Sequence, residues 1–375
     1  MLLNGLEIVI AAYVVFYLLV SIVIALGERR LRSHPLPETL PYVSVIVCAR
    51  NEERNIRRCC DHLARLDYPR DRIEIILVDD ESEDMTLDIM REYEAHDIMF
   101  RILSTVDEPR ILHAKQRPLN MGIRESRGEF VLLTDADVAV GPGWVRAHLS
   151  AYGGNTGIVG GTTRVDMSSG RLFDRVQCCD LVSKHAVAMG CAGLGFPISL
   201  MGNNASFRRE AYELVGGITG ISRSIVEDMA LMNAIVRRTR FRMTWVADRN
   251  GVVVTAPETD FGTFITQRLR WVFEMSDLSW TGKVMIGVES LMCTMFVCAL
   301  AIVWLNPVPL MVSVLAWTAG YVIILWPSPG KEEGDFLSIP ATLVFQMVYG
   351  VSFAVRRMVR GKRVVWKGRI FEKGA

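Results

Sequence analysis

The stretch FVLLTDAD, residues 130–137, is a run of apolar side chains that ends in two aspartates. A continuous apolar run of this length is typical of a strand buried in a parallel sheet. Two earlier stretches have the same form: VSVIVC at 43–48 runs into Ala-Arg-Asn-Glu, and IEIILV at 73–78 runs into Asp-Asp-Glu-Ser. Helix-like patterns follow them over residues 51–66 and 85–94. This alternation predicts an α/β domain in the middle of the chain.

Polar residues close each of the three predicted strands. In parallel α/β sheets, the ligand site lies outside the carboxyl ends of the strands. We therefore expect Asp79, Asp80, Asp135 and Asp137 to gather at one edge of the sheet. Carboxylates at the end of the second strand can accept hydrogen bonds from a ribose or a base. The alternative at this strand end is a local role, in which a residue such as Asp84 caps the following helix.

Asp135 and Asp137 stand two positions apart at a strand end, so their side chains can point to the same side. Two carboxylates held close together repel each other unless a cation lies between them. Mg²⁺ and Mn²⁺ are hard cations that bind to one or two carboxylates together with substrate phosphates. The pair is therefore a candidate site for a divalent cation, and the alternative is an ordinary solvated turn.

Glu227 and Asp228 open an amphipathic helical pattern. Acidic residues in a first helical turn are stabilised by the helix dipole, which is a sufficient reason for them in most chains. A carboxylate that acts as a general base beside a metal-bound phosphate would occupy the same kind of position. The residues alone leave both interpretations open.

The segment QRLRW, residues 267–271, places Gln267, Arg270 and Trp271 on one face of a helix, while Arg268 points elsewhere. An arginine fork suits a pyrophosphate, and a flat aromatic ring suits a sugar or a base. The alternative is a helix at the membrane surface, with arginine at the lipid headgroups and tryptophan in the aromatic belt.

Apolar residues accumulate at both ends of the chain. Residues 8–26 carry no charge and lead into the arginine-rich segment 28–32, which predicts an N-terminal membrane anchor with that segment on the cytoplasmic side. A cleaved signal peptide is the alternative, but its basic residues would precede the apolar run. Three further apolar runs precede a basic tail, and they span residues 284–304, 308–326 and 336–355.

One N-terminal crossing and three C-terminal crossings would place the basic tail outside the cell, whereas the positive-inside rule places it inside. We favour the inside, and Lys373 is a position at which the side can be tested. One C-terminal run is therefore expected to lie in the interface or to re-enter the membrane. The break at Asn-Pro-Val-Pro, residues 306–309, is the evident place for this.

Composition excludes some classes of protein. A formal net charge of +1 argues against a nucleic-acid-binding protein, because such proteins usually carry a strong basic excess. The eight cysteines form no C-x-x-C pair, so a zinc site is not expected. The adjacent pairs Cys59–Cys60 and Cys178–Cys179 are interpreted as buried thiols.

Taken in order along residues 42–275, these signals resemble the membrane-bound family 2 glycosyltransferases. The motifs that carry the resemblance are VIVCARNE (45–52), DDES (79–82), Lys115 with Asn120 and Gly122, DAD (135–137), GNN (202–204), ED (227–228) and Q-x-x-R-W (267–271). The implied fold class is α/β, with a GT-A (nucleotide-diphospho-sugar transferase) Rossmann-like domain, one N-terminal membrane helix and about three C-terminal ones. The implied divisions are an N-terminal transmembrane helix (1–27), a linker (28–41), a cytosolic catalytic domain (42–260), an interfacial helix (261–283), C-terminal transmembrane segments (284–355) and a basic tail (356–375).

The resemblance also implies roles for individual residues. Asp228, with Glu227 beside it, would be the general base that deprotonates the acceptor hydroxyl. Asp135 and Asp137 would hold a divalent cation, Mg²⁺ or Mn²⁺, on the donor diphosphate. The residues implied for donor binding are Ala49, Asn51, Glu52, Asp79, Asp80, Lys115 and Asp135. The residues implied for the acceptor and the diphosphate are Gly202, Asn203, Asn204, Gln267, Arg270 and Trp271.

The implied reaction is a metal-dependent, inverting and non-processive transfer of a hexose from a nucleotide-sugar, here a UDP-sugar, to a membrane lipid. This is the reaction type of carotenoid and ceramide glucosyltransferases, and it implies a protein of the inner membrane with a cytosolic catalytic domain. One alternative is a processive polysaccharide synthase, as in the cellulose and hyaluronan synthase superfamily, although four apolar segments are few for a polymer channel. The other is an inactive membrane scaffold, against which the intact acids at the motif positions argue.

Gly190, Gly193 and Gly195 form a glycine-rich stretch before Gly202. The stretch is not a Rossmann fingerprint, because no strand-turn-helix context surrounds it. We expect a flexible loop near the acceptor, and a plain loop is the alternative.

Overall fold

The computed structural model describes residues 2–110, 112, 115–221, 227–273, 278–360, 363–366 and 369–372; for residues 2–4, 269–273, 333, 349–360, 363–366 and 369–372 the description covers the backbone only. The helices are α1 (Leu2–Glu28), α2 (Ile56–Leu63), α3 (Thr86–His96), α4 (Gln116–Glu125), α5 (Trp144–Ser150), α6 (Leu172–Gly193), α7 (Arg209–Leu214), α8 (Gly217–Gly220), α9 (Glu227–Arg238), α10 (Phe261–Phe273), α11 (Trp280–Ala301), α12 (Val308–Leu325) and α13 (Glu333–Arg360). The strands are β1 (Val43–Ala49), β2 (Ile73–Asp79), β3 (Phe100–Ser104), β4 (Phe130–Asp135), β5 (Val138–Ala139), β6 (Thr156–Gly160), β7 (Thr163–Val165), β8 (Asn204–Arg208), β9 (Arg242–Trp245), β10 (Val253–Thr255), β11 (Arg363–Trp366) and β12 (Arg369–Glu372).

The chain forms two compact units. The sheet unit consists of Leu31–Asp166 and Ser199–Ala256. The helical unit consists of Met1–Arg30, Met167–Ile198 and Pro257–Ala375. The helix α6 therefore belongs with the apolar helices of the two chain ends, although its sequence lies between two segments of the sheet unit.

A seven-stranded sheet in the order β3-β2-β1-β4-β8-β6-β9 is the centre of the sheet unit. The strands β1, β2, β3 and β4 run parallel, and β8 is antiparallel to both of its neighbours. The three strands predicted from apolar runs are confirmed as β1, β2 and β4, and their side chains are almost all buried. The predicted α/β class is therefore confirmed, with a sheet that is mixed rather than wholly parallel.

The first two predicted helices are also present. The helix α2 starts later than its sequence pattern suggested, because residues 52–56 first make a turn in which the Ile56 N–H donates to the Glu52 carbonyl at 2.9 Å. Cys59 and Cys60 on this helix are buried in the core beside the sheet, as expected. The helix α3 ends two residues beyond the predicted segment.

Asn204 at the start of β8 is fully buried, and its side-chain amide joins four protein groups. Its Nδ2 donates to the carbonyl oxygens of Thr162 and Gly251, both at 2.9 Å. Its Oδ1 therefore accepts hydrogen bonds, from Trp144 Nε1 and from His148 Nε2, both also at 2.9 Å. The amide fixes β8 against α5 and against two loops, so we name these five residues the Asn204 hub.

The proton positions in the hub follow from these bonds. Because Asn204 Oδ1 only accepts, His148 carries its proton on Nε2, and His148 Nδ1 accepts from the Ser206 hydroxyl at 2.9 Å. The Ser206 oxygen in turn accepts from the Tyr152 hydroxyl at 2.9 Å. Burial lowers the pKa of His148 to about 4, so the ring is neutral at physiological pH.

In the helical unit, α6 packs against α1, α12 and α13. Gly190 and Gly193 lie inside α6, so the expectation of a loop there is wrong for these two residues. Any Cβ on Gly190 would meet the backbone oxygen of Ile24, and any Cβ on Gly27 would meet the Gly190 oxygen. These glycines allow α1 and α6 to approach closely, which is a packing role of the kind that small residues have between membrane helices.

Three helices of the described chain are long and apolar enough to cross a membrane: α1 over Gly5–Glu28, α11 and α12. The third C-terminal run, in α13, has a shorter apolar segment over Gly334–Val348 and contains Pro340. Asn306 and Pro307, at the place where a re-entry was expected, lie in the short connection between α11 and α12, and Val308 and Pro309 are the first residues of α12. Asn306 Nδ2 in this connection donates to Glu7 Oε1 at 2.9 Å, so the connection lies at the Glu7 end of α1.

The His148 arrangement predicts a pH dependence of stability. The pKa of His148 is about 4 in the folded chain and about 6.5 when unfolded, so the unfolded chain binds the additional proton between these values. The stabilisation is complete above pH 6.5 and is lost as the pH falls towards 4, by roughly 3 kcal/mol. Thermal unfolding of the detergent-solubilised protein should show a smaller loss over this window in H148Q than in the wild type. Equal pH slopes in the two proteins would contradict the assignment.

Candidate active site

The register of the parallel strands determines which residues share the carboxyl edge of the sheet. Ala49 at the end of β1 pairs with Asp79 at the end of β2. Cys48, one position earlier on β1, pairs with Asp135 at the end of β4. The expectation that the acidic strand ends gather at one edge is therefore confirmed.

The loops after β1 and β2 are joined by hydrogen bonds between them. The Asn51 N–H donates to Ser82 Oγ at 3.1 Å, and the Glu83 N–H donates to Asn51 Oδ1 at 2.9 Å. The Glu52 N–H donates to Thr86 Oγ1 at 2.7 Å. Asn51 and Glu52, two of the predicted site residues, therefore hold the two loops together. Asn51 contributes its backbone N–H and its side-chain oxygen, and Glu52 contributes its backbone N–H.

Both loops contain a residue other than glycine in the left-handed region of backbone space. The φ angles are 53° at Asn51 and 59° at Glu81. Such conformations cost of order 1–3 kcal/mol each and persist only where surrounding contacts enforce them. Here the enforcing contacts include the bonds between the two loops and the ion pairs of Glu81 with Arg110 and Arg117. The edge of the sheet is therefore organised by contacts within the protein.

Asp79 and Asp80 have different surroundings. Asp79 Oδ2 accepts from the Ser82 N–H at 3.3 Å, while Asp79 Oδ1 is buried and has no hydrogen-bond partner among the described residues. Asp80 Oδ1 accepts from Arg117 Nη2 at 2.7 Å and from Thr105 Oγ1 at 2.9 Å. A buried carboxylate oxygen without a partner is costly, so Asp79 is suited to accept a hydrogen bond from a ligand.

Arg117 is a residue of the site that the sequence interpretation missed. Burial opposes its charged form, but the hydrogen bond and charge of Asp80 raise the pKa of Arg117 above its ordinary value. Arg117 lies on α4 between the motif residues Lys115 and Asn120 but is not itself part of the motif, and only the three-dimensional structure shows its pairing with Asp80.

A small cavity lies at the carboxyl ends of β1 and β4. Its polar lining consists of Lys115, Thr134, Gly202, Glu227 and Asp228, together with Cys48. The structure thus brings together residues from four of the sequence motifs around one space. Burial of the Cys48 thiol raises its pKa, so this cysteine remains protonated in the cavity wall.

Lys115 and Asp135 form an ion pair at this cavity. Burial alone would lower the pKa of Lys115, but the charges of Asp135 and Glu227 raise it above its ordinary value. Lys115 is therefore a stable ammonium group beside the end of β4.

Asp135 and Asp137 are both half-buried and stand on either side of buried Ala136. Asp137 Oδ2 accepts from Thr255 Oγ1 at 3.3 Å. The described residues contain no group of three or more His, Cys, Asp or Glu side chains arranged to hold a metal. Two carboxylates are nevertheless the donor set that a hard cation uses when phosphate oxygens complete its coordination.

Asp228 is held in the first turn of α9 by two backbone groups. Its Oδ2 accepts from the Gly202 N–H at 2.5 Å, and its Oδ1 accepts from the Met229 N–H at 2.7 Å. An added Cβ on Gly202 would lie 3.1 Å from Asp228 Oδ2, which is a tight contact. Gly202 therefore contributes through its backbone, by allowing the carboxylate to approach.

The other residues of the GNN motif face the protein interior. The Asn203 carbonyl oxygen accepts from Thr134 Oγ1, and Asn203 Oδ1 accepts from Thr163 Oγ1, both at 3.0 Å. Asn204 is the centre of the hub, with 0% exposure. The structure gives these two residues contacts that support the cavity wall.

The Q-x-x-R-W motif lies on α10 in the helical unit. Gln267 Nε2 donates to Glu258 Oε1 at 2.6 Å, and Gln267 Oε1 accepts from Arg268 Nη1 at 2.8 Å. Arg270 and Trp271 belong to the helix, but their side chains lie outside the described residues. Arg268, which the sequence pattern assigned to another face, is 4% exposed.

Comparison with known sequences identifies relatives of the chain. Residues 44–229 match the family model described as Glycosyl transferase family 2. The probable glycosyltransferase YdaM of Bacillus subtilis is 30% identical over 244 residues, which cover 62% of this chain and 54% of that protein. The beta-monoglucosyldiacylglycerol synthase of Trichormus variabilis is 31% identical over 102 residues, which cover 27% of this chain and 21% of that protein. The chain spans about half the length of the first curated relatives it matches, 54% and 52%.

A solved structure shares the fold. The mannosyltransferase PcManGT of Pyrobaculum calidifontis, in complex with GDP-Man and Mn²⁺, matches with a TM-score of 0.60 at 20% sequence identity. The match covers 95% of this chain and 100% of that one. The predicted GT-A fold is thereby confirmed.

Proposed function

Residues 44–229 form a domain of glycosyl transferase family 2, and from this premise we propose that the chain transfers a hexose from a UDP-sugar to a membrane lipid. The observation that carries the proposal is the cavity lined by both Asp228 and Lys115. Displacement at a sugar needs a base for the acceptor hydroxyl and positive charge near the departing diphosphate. A carboxylate fixed by two N–H groups and a half-buried ammonium group meet these two needs.

The proposed reaction is a single displacement with inversion. The acceptor hydroxyl gives its proton to the Asp228 carboxylate while its oxygen forms a bond to the anomeric carbon. The bond from that carbon to the diphosphate oxygen breaks, and the nucleoside diphosphate leaves with the electron pair. Lys115 contributes positive charge at the end of β4, and Glu227 contributes to keeping that lysine charged.

Asp135 and Asp137 are proposed to hold Mg²⁺ or Mn²⁺ with the donor diphosphate. When bound, the cation supplies positive charge that stabilises the departing diphosphate. The donor set of two half-buried carboxylates supports this, and the Mn²⁺ in the PcManGT complex is consistent with it.

The nucleotide is proposed to lie against the ends of β1 and β2. Asp79 Oδ1, which has no hydrogen-bond partner in the described part of the chain, is proposed as the acceptor for a ribose hydroxyl or a base N–H. Asp80, Asn51 and Glu52 are proposed to organise the two loops around it, and Ala49 pairs with Asp79 at the end of β1. This pocket is the proposed basis of donor recognition.

A lipid acceptor is proposed because apolar helices make up much of the helical unit. Among the described residues, three of these helices are long and apolar enough to span a membrane, which is few for a channel that exports a polymer. The name of one relative, a glucosyldiacylglycerol synthase, describes transfer to a lipid. Both observations favour one transfer to a lipid over processive synthesis.

The proposal is tested by the product formed in membranes that contain the protein. Incubation with radiolabelled UDP-glucose should give a discrete, lipid-extractable product on thin-layer chromatography, and GDP-mannose serves as the comparison donor. Membranes containing the D228N variant are the matched control. Labelled material that stays at the origin and grows with time would identify a polysaccharide synthase. An absence of labelled product with every nucleotide-sugar would identify an inactive scaffold.

The role of Asp228 predicts a separation of binding from chemistry. D228N keeps the shape of the side chain but removes the proton acceptor, so kcat should fall by ~10²–10⁴ while donor affinity changes little. Calorimetric titration with UDP measures the affinity. D248N is the control, because Asp248 also accepts a backbone N–H at the start of a short helix. Lost UDP binding with nearly normal kcat would place Asp228 in the donor pocket instead.

The metal site predicts that chelation abolishes transfer and that Mn²⁺ restores it. D137N should prevent the restoration, since one of the two carboxylates is then neutral. Mn²⁺ binding in the presence of UDP, followed by electron paramagnetic resonance, provides a readout that does not depend on activity. D88N, which changes an exposed aspartate on α3, should bind Mn²⁺ like the wild type. Full activity in excess EDTA would overturn the assignment.

We propose that three of the described helices, α1, α11 and α12, cross the membrane, because this number removes the topological conflict in the sequence. If the sheet unit is cytosolic, where nucleotide-sugars are, then the Glu7 end of α1 and the α11–α12 connection lie outside. The third crossing, α12, returns the chain to the cytosol, so α13 and the basic tail stay inside, as the positive-inside rule requires. Lys373 in that tail lies outside the described residues.

This topology predicts opposite labelling at two exposed positions. R238C should resist a membrane-impermeant maleimide in intact cells and react after permeabilisation, whereas W304C, at a side chain that is 95% exposed, should react in intact cells. Labelling is compared with the parent chain, whose cysteines are free thiols. Labelling of R238C in intact cells would contradict the use of a cytosolic donor.

A further inference from the structure

Asp180 of α6 is a buried aspartate of the helical unit, with 0% exposure. Its Oδ2 accepts from Arg268 Nη2 of α10 at 3.0 Å, and its Oδ1 accepts from Gln346 Nε2 of α13 at 2.9 Å. Lys184, one turn further along α6, also forms an ion pair with it. One carboxylate therefore connects three helices that are far apart in the sequence.

Arg268 uses its two outer nitrogens for two different partners. While Nη2 contacts Asp180, Nη1 donates to Gln267 Oε1 at 2.8 Å. The Gln267 amide is held at its other end by Glu258, at 2.6 Å. Glu258 is in turn fixed to Gln177 of α6, through its N–H at 3.0 Å and its carbonyl oxygen at 3.1 Å. The motif glutamine is thus oriented from both sides by groups attached to α6.

Aromatic side chains pack on the face of α10 that carries Arg268. The Arg268 guanidinium lies 4.5 Å from the centre of the Phe264 ring, one turn earlier on the helix. Phe264 packs edge-on against Phe173 of α6 and Phe345 of α13, at centroid distances of 5.8 and 5.1 Å. The ion pair and the aromatic cluster together determine the position and the rotation of α10 against α6 and α13.

We propose that Asp180 and Arg268 are positioning residues for the transfer reaction: they fix the helix that carries the Q-x-x-R-W motif and orient Gln267. The inference rests on the proposed function, because the placement of α10 affects the chemistry only if its motif residues meet the diphosphate or the acceptor. Neither residue needs to touch a substrate for this role.

The positioning role requires an arginine, because Arg268 contacts Asp180 and Gln267 through two different nitrogens of one guanidinium group. A guanidinium presents several donors in a rigid plane, whereas a lysine ammonium is a single point on a flexible stem. R268K therefore keeps the charge opposite Asp180 but cannot hold Asp180 and Gln267 in the same planar geometry. A purely structural ion pair would tolerate this change, and a positioning pair would not.

The test compares R268K, D180N and the double variant D180N/R268Q with D174N. Asp174 is a matched control, because it is an equally buried aspartate of α6 that pairs within its own helix, with Arg171 at 2.8 Å. Each protein is assayed for kcat and donor KM, for its thermal midpoint, and for hydrogen exchange of the α10 amides.

We expect R268K and D180N to lower kcat by ~10², since small misplacements remote from the chemistry can have effects of that size. Donor KM should stay within about threefold in both variants, because the nucleotide loops of the sheet unit are untouched. Amide exchange in α10 should become faster in D180N and stay unchanged in D174N. The double variant, which removes the buried one of the two cations that D180N leaves without their carboxylate, should regain about tenfold in kcat over D180N.

The outcomes separate the inference from the proposed function. An active wild type with R268K at wild-type kcat, or with D180N and D174N equally impaired, overturns the positioning role and leaves the transferase proposal intact. A wild type that transfers no sugar to any acceptor overturns the proposed function, and the inference with it. Faster exchange in α10 with unchanged kcat would reduce Asp180 to a structural residue.

Discussion

The pairing of β1 with β2 and with β4 is the constraint on which the candidate site depends. Because Ala49 pairs with Asp79 and Cys48 with Asp135, two acidic strand ends reach the same edge of the sheet. A shift of one residue in either register would turn these side chains to the opposite face. The register is secured by buried apolar side chains on both faces of β1, so the same burial that stabilises the sheet also places the acids. The burial of the β1 side chains therefore contributes both to the stability of the sheet and to the positions of the acidic residues.

The negative charges of the acidic side chains at this edge require positive charges nearby, and two residues at the beginning of α4 provide them. Lys115 precedes the helix and pairs with Asp135, while Arg117 lies in its first turn and pairs with Asp80. Cations near a helix N-terminus are disfavoured by the helix dipole, so the helix alone does not account for them. The two carboxylates account for these cations, because Lys115 pairs with Asp135 at the end of β4 and Arg117 pairs with Asp80 after β2. The short segment 115–117 thus balances charge across the whole edge.

The sequence predicted those parts of the structure that depend on local patterns. Apolar runs identified β1, β2 and β4, and the polar residues after them identified the edge at which the cavity lies. The pattern did not identify Arg117, Arg268 or the internal role of Asn204, because polar residues that bind substrates and polar residues that bind each other look alike in a sequence. Only the partners distinguish them, and those partners are distant: Thr162 and Gly251 for Asn204, and Asp180 for Arg268.

The same reasoning explains why α6 was not recognised as part of the helical unit. Its four charged residues, Asp174, Arg175, Asp180 and Lys184, make it too polar for a membrane span, yet most of its side chains are buried. Apolar helix surfaces discriminate weakly between alternative packings, because lipid tails are as apolar as leucine. A buried carboxylate with partners on two other helices discriminates strongly, since any other arrangement leaves a charge unpaired. The cost of burying Asp180 is thus compensated by a defined arrangement of α6, α10 and α13, and α10 is the helix that carries the Q-x-x-R-W motif.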